Sequence, residues 1–389
     1  MKIRYGEDKD FEKAKKIWLE CFTDSQEEVD FYFSTLYNKN NYLLLEEQND
    51  ILASLHENKF NLIINGEEVP SFYIVGVAVS PQFRNKGYMK EIIKSSLQGA
   101  KEKGYEFVYL CPINSKLYRR YGFDYILDIE KYKFDMNELP TGGIDKNIVI
   151  KKLEVHLIDE YICDLMNIYR EKMKDFLLSV KRDKKTFKKL LQEVISDNGE
   201  IYIFYRDGMP IGYTIFYKDK KIRIREIFGK DKNSIINILR FIKTFREYYP
   251  QVEINTPERE HLNFYLDNQE QIENEITPFI MGRIIDPIKL FKRVIDSKIN
   301  LRLKIKDEII DKNNGVYIFD GKGNITFKKA EQWDMSIDIG SLAQLLFGYC
   351  TLEELIFREK VIFSNEEIIN TLKNKNIFAL SKNYIQDYQ

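Results

Sequence analysis

The feature that most restricts what this 389-residue chain can fold into is an order of elements that runs twice. Residues 2–6 read as a short strand, and Phe11, Ala14, Ile17, Trp18 and Cys21 then recur at helical spacing. Asp24 with Glu27 three residues on resembles a capping box, opening a second helix through Val29, Tyr32, Phe33 and Leu36. Three strands rich in branched and aromatic residues follow at 42–46, 51–64 and 69–79, divided by Asn49-Asp50 and Asn65-Gly66 turn signals. Met89, Ile92, Ile93, Leu97 and Ala100 mark one face of a helix that stops near Gly104. A strand at 105–111, a short helix at 115–121 and a final strand at 125–134 complete the set. The same order then recurs: a strand at 148–153, helices at 158–176 and 184–195, hairpins over 201–228, a helix at 234–245, and strands at 252–255 and 279–285. The likeness is one of element order rather than of sequence, as an old internal duplication leaves it.

From Asp286-Pro287 the texture changes to a helix start, an element at 301–310 and a hairpin turning at Asp320-Gly321. Helices near 342–347 and 366–372 precede a tail that ends Asn383-Tyr384-Ile385-Gln386-Asp387-Tyr388-Gln389. A chain of this length exceeds what one core usually holds. Three domains are expected, at 1–140, 141–285 and 286–389. The fold class is α/β in the α+β sense, with mixed, mostly antiparallel sheets flanked by helices and a small α+β domain at the end.

Charge excludes some partners. Lys plus Arg number 60 against 61 Asp plus Glu, so no global positive field gathers nucleic acid or an anionic membrane. The four cysteines, at 21, 111, 163 and 350, lack CxxC spacing, and neither a signal peptide nor a long apolar span is evident. A reducing cytoplasm is the expected compartment. His56, His156 and His261 never fall at a metal-ligand spacing, so structural roles and no metal are expected.

The chemistry concentrates where an apolar strand, Val75-Gly76-Val77-Ala78-Val79, runs through Ser80-Pro81-Gln82-Phe83-Arg84-Asn85-Lys86-Gly87 into the helix that starts at Tyr88-Met89. Amides in a helix's first turn lack intrahelical partners and the dipole adds positive charge, so an anion is held there without many charged side chains. Pyrophosphate is the natural guest, with Gly87 removing a Cβ and Arg84, Lys86 and Lys90 supplying charge. Arg-x-x-Gly alone is equally a turn glycine beside a solvated basic face, and it recurs at Arg119–Gly122. Neither GxxxxGK[ST] nor GxGxxG is present, which argues against nucleoside triphosphates and nicotinamide dinucleotides.

The run from Val77 to Met89 resembles the acetyl-CoA motif of the GNAT acetyltransferase superfamily, with Met89 in place of the usual last glycine or alanine. That departure, and the layout of an active GNAT domain, a degenerate GNAT domain and a sterol-carrier-protein-like domain, is similar to the enhanced-intracellular-survival type. The resemblance implies tandem GNAT folds and acetyl-CoA as cofactor, with CoA as product. Backbone groups of Val77, Ala78 and Val79 would meet the pantetheine arm where Gly76 or its neighbours bulge the sheet, and Arg84, Asn85, Gly87, Tyr88 and Met89 would surround the pyrophosphate. The second domain reads Glu226-Ile227-Phe228-Gly229-Lys230-Asp231-Lys232 at the corresponding turn and is not expected to bind the cofactor.

Leu117-Tyr118-Arg119-Arg120-Tyr121-Gly122-Phe123 resembles the family segment whose first tyrosine is the general acid, here Tyr118; read alone, both tyrosines are ordinary core or surface aromatics. The family's terminal carboxylate, expected beside the thioester as base or substrate anchor, falls here on Gln389. Asp24, Glu27, Glu28 and Asp30, ahead of Phe31, Tyr32 and Phe33, lie where the family's substrate pocket draws residues, although capping and a solvated face account for them equally. The implied acceptor is a primary amine on an aminoglycoside, a polyamine or a lysine, and the implied assembly a homo-oligomer, trimer or hexamer. The competing reading is a non-catalytic protein that carries an apolar ligand in its third domain.

Overall fold

The computed structural model describes residues 1–257, 259–295, 298–329, 331–374 and 378–387. The chain divides into two compact units, one holding residues 1–126, 279–381 and the tail from 385, the other residues 127–278 and 382–384.

The first unit opens with β1 (Lys2–Tyr5), α1 (Phe11–Cys21), α2 (Gln26–Thr35) and the strands β2 (Tyr42–Glu47), β3 (Asp50–Ile64) and β4 (Glu67–Val79). After α3 (Tyr88–Glu102) come β5 (Phe107–Leu110) and the short α4 (Ser115–Arg119). β1 to β4 form an antiparallel run, and Asn65 and Gly66, both at positive φ, make the tight turn between β3 and β4. β5 lies parallel to β4 at Tyr73↔Tyr109. Beneath this sheet Ala14, Ile17 and Trp18 of α1 and Val29, Tyr32 and Phe33 of α2 form one apolar cluster with Tyr42, Leu44 and Ala78. His56 is buried in the same place, within 6 Å of the rings of Trp18, Tyr32, Phe33, Tyr37 and Tyr42.

The cap of α2 differs from the sequence reading by one residue. Ser25 is the N-cap, its hydroxyl accepting from the Glu28 amide while the Glu28 carboxylate accepts from the Ser25 amide. Asp24 stands outside the helix and accepts the Trp18 indole N–H at 2.7 Å. Ser25 is extended, so its short side chain reaches the open first-turn amide, a contact that contributes about 1 kcal/mol.

β6 (Asp124–Asp135) enters the second unit at Leu127. There follow β7 (Ile148–Lys152), α5 (Ile158–Met173), β8 (Leu178–Val180), α6 (Lys184–Ser196), β9 (Gly199–Arg206), β10 (Met209–Lys218), β11 (Ile222–Gly229), α7 (Lys232–Lys243) and β12 (Gln251–Pro257). Within this unit the strands run in the order β6-β12-β11-β10-β9-β7. Alternate residues feed opposite faces: Ile201, Ile203 and Tyr213 pack with α5 and α6, whereas Phe204, Phe216 and Ile224 pack with α7.

β13 (Glu273–Ile284) returns to the first unit at Phe279, where Met281↔Leu110 to Ile284↔Phe107 pair antiparallel with β5. β6, for its part, pairs from Ile129 to Asp135 with β12. The two repeats therefore exchange their last strands, where the sequence reading had each repeat closing on its own.

The remainder belongs to the first unit: α8 (Pro287–Val294), β14 (Asn300–Lys306), β15 (Gly315–Asp320), β16 (Ile325–Lys328), β17 (Met335–Asp338), α9 (Ile339–Leu346), α10 (Leu352–Phe357), β18 (Val361–Phe363) and α11 (Glu366–Asn374). Their five strands run in the order β16-β15-β14-β17-β18. The element expected over 301–310 stops at Lys306, because Asp307 accepts the amides of Ile309 and Ile310 and turns the chain. Every residue of α9 is buried, and Phe347 just beyond it meets Phe107 of β5 with ring centroids 4.7 Å apart. The last strand, β19 (Asn383–Tyr384), pairs with β8 in the second unit.

Candidate active site

The site begins with an irregularity in β4. Its register with β3 shifts between Ser54↔Ala78 and His56↔Val75, so Gly76 and Val77 stand opposite Leu55 alone. This is a β-bulge, with Gly76 at φ +61°. A Cβ on Gly76 would lie 2.4 Å from the Trp18 ring, so only glycine lets the sheet bend over the aromatic cluster. Past Tyr73↔Tyr109 β4 continues to Val79 while β5 ends at Leu110. Among the described residues no strand pairs with that edge of Val75–Val79, which leaves it open to an extended amide chain, although the Val79 carbonyl already accepts from Cys21 Sγ at 3.4 Å.

The chain then makes a short turn at Pro81–Phe83, passes Asn85 at φ 62° and reaches Gly87, the N-cap of α3, at φ 86°. No side chain caps α3, and a Cβ built on Gly87 would meet nothing within 4 Å. The amides of Tyr88 and Met89 thus have no capping side chain, while that of Lys90 bonds the Gly87 carbonyl at 2.9 Å, and the positive end of a fifteen-residue helix stands behind them. Arg84 and Lys86 are exposed beside it; Arg84 Nε donates to the Val79 carbonyl at 3.4 Å, and the Lys86 ammonium sits 5.3 Å from the Phe83 ring centre. Tyr88 and Met89, the first residues of α3, are half-buried.

Tyr118 comes from α4, which follows β5 through Cys111 and the N-cap Asn114. The parallel pairing of β4 and β5 brings the ends of both strands, and so the Val77–Gly87 segment and the Cys111–Tyr118 segment, to the same edge of the sheet. The Tyr118 side chain is 8% exposed and packs edge-on to Phe123. Burial first, then the neighbouring Cys111 and Tyr121, push its phenol up to about 12. Burial likewise pushes the Cys111 thiol up to about 11. Tyr118 is therefore protonated at any physiological pH and presents a donor.

Three of the four acidic residues at the start of α2 are occupied by local structure. Asp24 holds the Trp18 indole, Glu28 closes the capping box, and Asp30 pairs with Lys15 and Gln26. Tyr32 and Phe33 lie in the core. In the tail Ile385, Gln386 and Asp387 are buried, and the Tyr109 hydroxyl donates to the Asp387 carbonyl at 3.4 Å. Gln389 lies outside the described residues.

The equivalent turn of the second unit is built differently. β11 and β12 are paired in parallel only from Ile222↔Val252 to Ile224↔Ile254, and the residues beyond help line a cavity of about 630 Å³. At the start of α7, however, the Asp231 carboxylate accepts from the Ser234 amide at 2.7 Å and its hydroxyl at 2.8 Å. A fixed negative charge occupies the place that α3 leaves without a side-chain cap. The cavity wall holds Glu226, fully buried, which accepts from Arg182, Tyr213 and Tyr384. Burial raises this carboxyl, but the charge of Arg182 outweighs it and keeps the group below the usual carboxylate range.

Residues 2–126 and 178–284 each match a family model described as an acetyltransferase (GNAT) domain, and residues 289–385 match one described as a sterol carrier protein domain. The chain is a GNAT acyltransferase with two GNAT domains and a C-terminal sterol-carrier-protein domain. Among solved structures it resembles a probable N-acyltransferase from Enterococcus faecalis, at 18% identity over 100% of this chain and 99% of that one, with a TM-score of 0.86. A GCN5-related N-acetyltransferase from Anabaena variabilis is similar at 17% identity over 98% and 97%, TM-score 0.82. Eis1 from Mycobacterium abscessus is similar at 14% identity over the whole of both chains, TM-score 0.81. At such identities the likeness is one of fold. No curated protein matches the sequence. Among the described residues no group of His, Cys, Asp and Glu side chains could hold a metal ion, and no helix is long and apolar enough to cross a membrane.

Proposed function

We propose that the first GNAT domain binds acetyl-CoA along Val75–Met89 and transfers the acetyl group to a primary amine by direct attack on the thioester, releasing CoA. The observation that carries this reading is the contrast between two helix starts: α3 begins at an uncapped glycine after a bulged, unpaired strand edge, while α7 begins at a capping aspartate. The backbone of Val77, Ala78 and Val79 would pair with the amides of the pantetheine arm, and Arg84, Asn85, Gly87, Tyr88 and Met89 would enclose the pyrophosphate. One cofactor per chain is expected.

Tyr118 would donate a hydrogen bond to the sulfur as the thiolate leaves. With the phenol at about 12 and a thiol at about 8.5, full proton transfer is uphill by about 5 kcal/mol. Tyr118 therefore stabilises the developing charge rather than surrendering its proton early. The Gln389 carboxylate would serve as base or as anchor for the ammonium. Its pKa of about 3.5 makes anchoring the easier task. Aminoglycosides, polyamines and protein lysines all present the required amine, and the assembly would be a cytoplasmic trimer or hexamer. The test is thiol release from acetyl-CoA across a panel of these amines: amine-dependent release supports the reading, and a panel without any refutes it.

A further inference from the structure

We propose that Arg283 is a positioning residue for Tyr118, through which the third domain sets where the phenol stands; the proposal rests on the reading of Tyr118 above. α4 has only five residues, too few to hold a helical turn without outside support. Its place is decided by how its ends are tied. At the C-terminal end the Tyr121 amide donates to the Tyr118 carbonyl and the Gly122 amide to the Arg119 carbonyl, both at 2.9 Å. The carbonyl of Tyr121 is left for an outside donor. Arg283 of β13 supplies it, Nε to oxygen at 2.8 Å.

Arg283 is fully buried and cannot swing. One arm of its guanidinium donates to the Ile284 carbonyl and the other to Asp307 Oδ1 at 2.6 Å. Asp307, at the end of β14 in the third domain, is itself fixed by the amides of Ile309 and Ile310 and by Asn313 Nδ2 at 2.9 Å. The same turn is closed from a second side. Gly122 has φ 80°, and a Cβ there would lie 2.6 Å from Cγ2 of Ile339, the first residue of α9, and 2.9 Å from Arg283 Nε. Third-domain residues thus box the turn that carries Tyr118.

A buried ion pair is a weak source of stability, since an apolar pair of similar volume often does as well. What an apolar pair could not do is aim a planar fork at three oxygens at once, one of them three residues from the phenol. The consequence belongs to catalysis, where misplacing a reacting group by about 1 Å costs on the order of 100-fold in rate.

The test is a double-mutant cycle in the full chain. Arg283→Lys keeps a charge beside Asp307 but loses the fork. Folded Arg283→Lys is expected to bind acetyl-CoA as the wild type does, with kcat lowered about 10- to 100-fold, and to cause no further loss in a Tyr118→Phe background. Wild-type kcat in folded Arg283→Lys overturns the proposal, as do losses that multiply in the double variant; multiplied losses leave Tyr118 catalytic. Normal turnover in Tyr118→Phe beside a loss in Arg283→Lys defeats the reading of Tyr118, and this proposal with it. If Arg283→Lys does not fold, Asp307→Asn, which keeps one acceptor oxygen for the guanidinium, goes through the same cycle with the same outcomes.

Discussion

Replacing Gly87 by glutamate separates binding from folding at the start of α3. The position has φ 86°, where a Cβ costs roughly 1–2 kcal/mol. That cost is partly offset because a carboxylate at a helix N-terminus contributes about 0.3–1 kcal/mol through the dipole. No atom lies within 4 Å of the new Cβ, so nothing in the fold must move. The protein should therefore fold, with its melting point lowered only slightly. The new charge, however, stands where the pyrophosphate would be. Two like charges about 4 Å apart near a protein surface repel by about 4 kcal/mol, which corresponds to roughly a 1000-fold loss of affinity. Titration calorimetry with acetyl-CoA is the assay, with Gly87→Ala as the uncharged control. The expected result is one site per wild-type chain, a mild loss for alanine and a loss near 1000-fold for glutamate. Affinity unchanged within tenfold in a folded Gly87→Glu protein, or two equivalent sites in the wild type, would refute the reasoning.

Two further outcomes follow from other parts of the first unit. Burial pushes the His56 imidazole down to about 3, so below about pH 6.5 the unfolded chain binds a proton that the folded one refuses, and stability is lost as pH falls. Between pH 6.5 and pH 5 that amounts to about 2 kcal/mol; urea melts should show a correspondingly shallower acid slope in His56→Gln, and identical slopes would be contrary. Deleting residues 388 and 389 leaves the Tyr109 contact to Asp387 in place and should lower kcat without lowering the melting temperature, whereas full activity in the shortened chain would remove Gln389 from the mechanism.

What could be read from the sequence is what short-range physics encodes. The strand–turn–helix that begins at Val75 is visible because an apolar run, a glycine and an amphipathic face follow one another directly, and the structure has β4, the Gly76 bulge and α3 there. Asp231 was missed as a cap, although a carboxylate three residues before Ser234 is a capping signal of the same short-range kind. The cap of α2 was misplaced because Asp24-Ser25 and Glu27-Glu28 offer two boxes at the same spacing, and the Trp18 indole that takes Asp24 lies on another helix. Strand exchange between the repeats was hidden, because each strand's pattern says which face is buried but not which neighbour it pairs with. Arg283 gave no signal at all: an isolated arginine in a strand acquires meaning only when residues 121 and 307 meet it.

The most direct measurement is steady-state thiol release from acetyl-CoA with an accepting amine, in wild type and in Tyr118→Phe, alongside the affinity of each for acetyl-CoA. On the proposed mechanism the buried phenol would meet chemistry only as charge develops on sulfur, so its loss should spare binding and lower kcat by about 10²- to 10⁴-fold. The alkaline limb of the wild-type profile should show no loss from Tyr118 below pH 10, because burial holds that phenol near 12. Near wild-type kcat in Tyr118→Phe would make Tyr118 a core aromatic and contradict the mechanism.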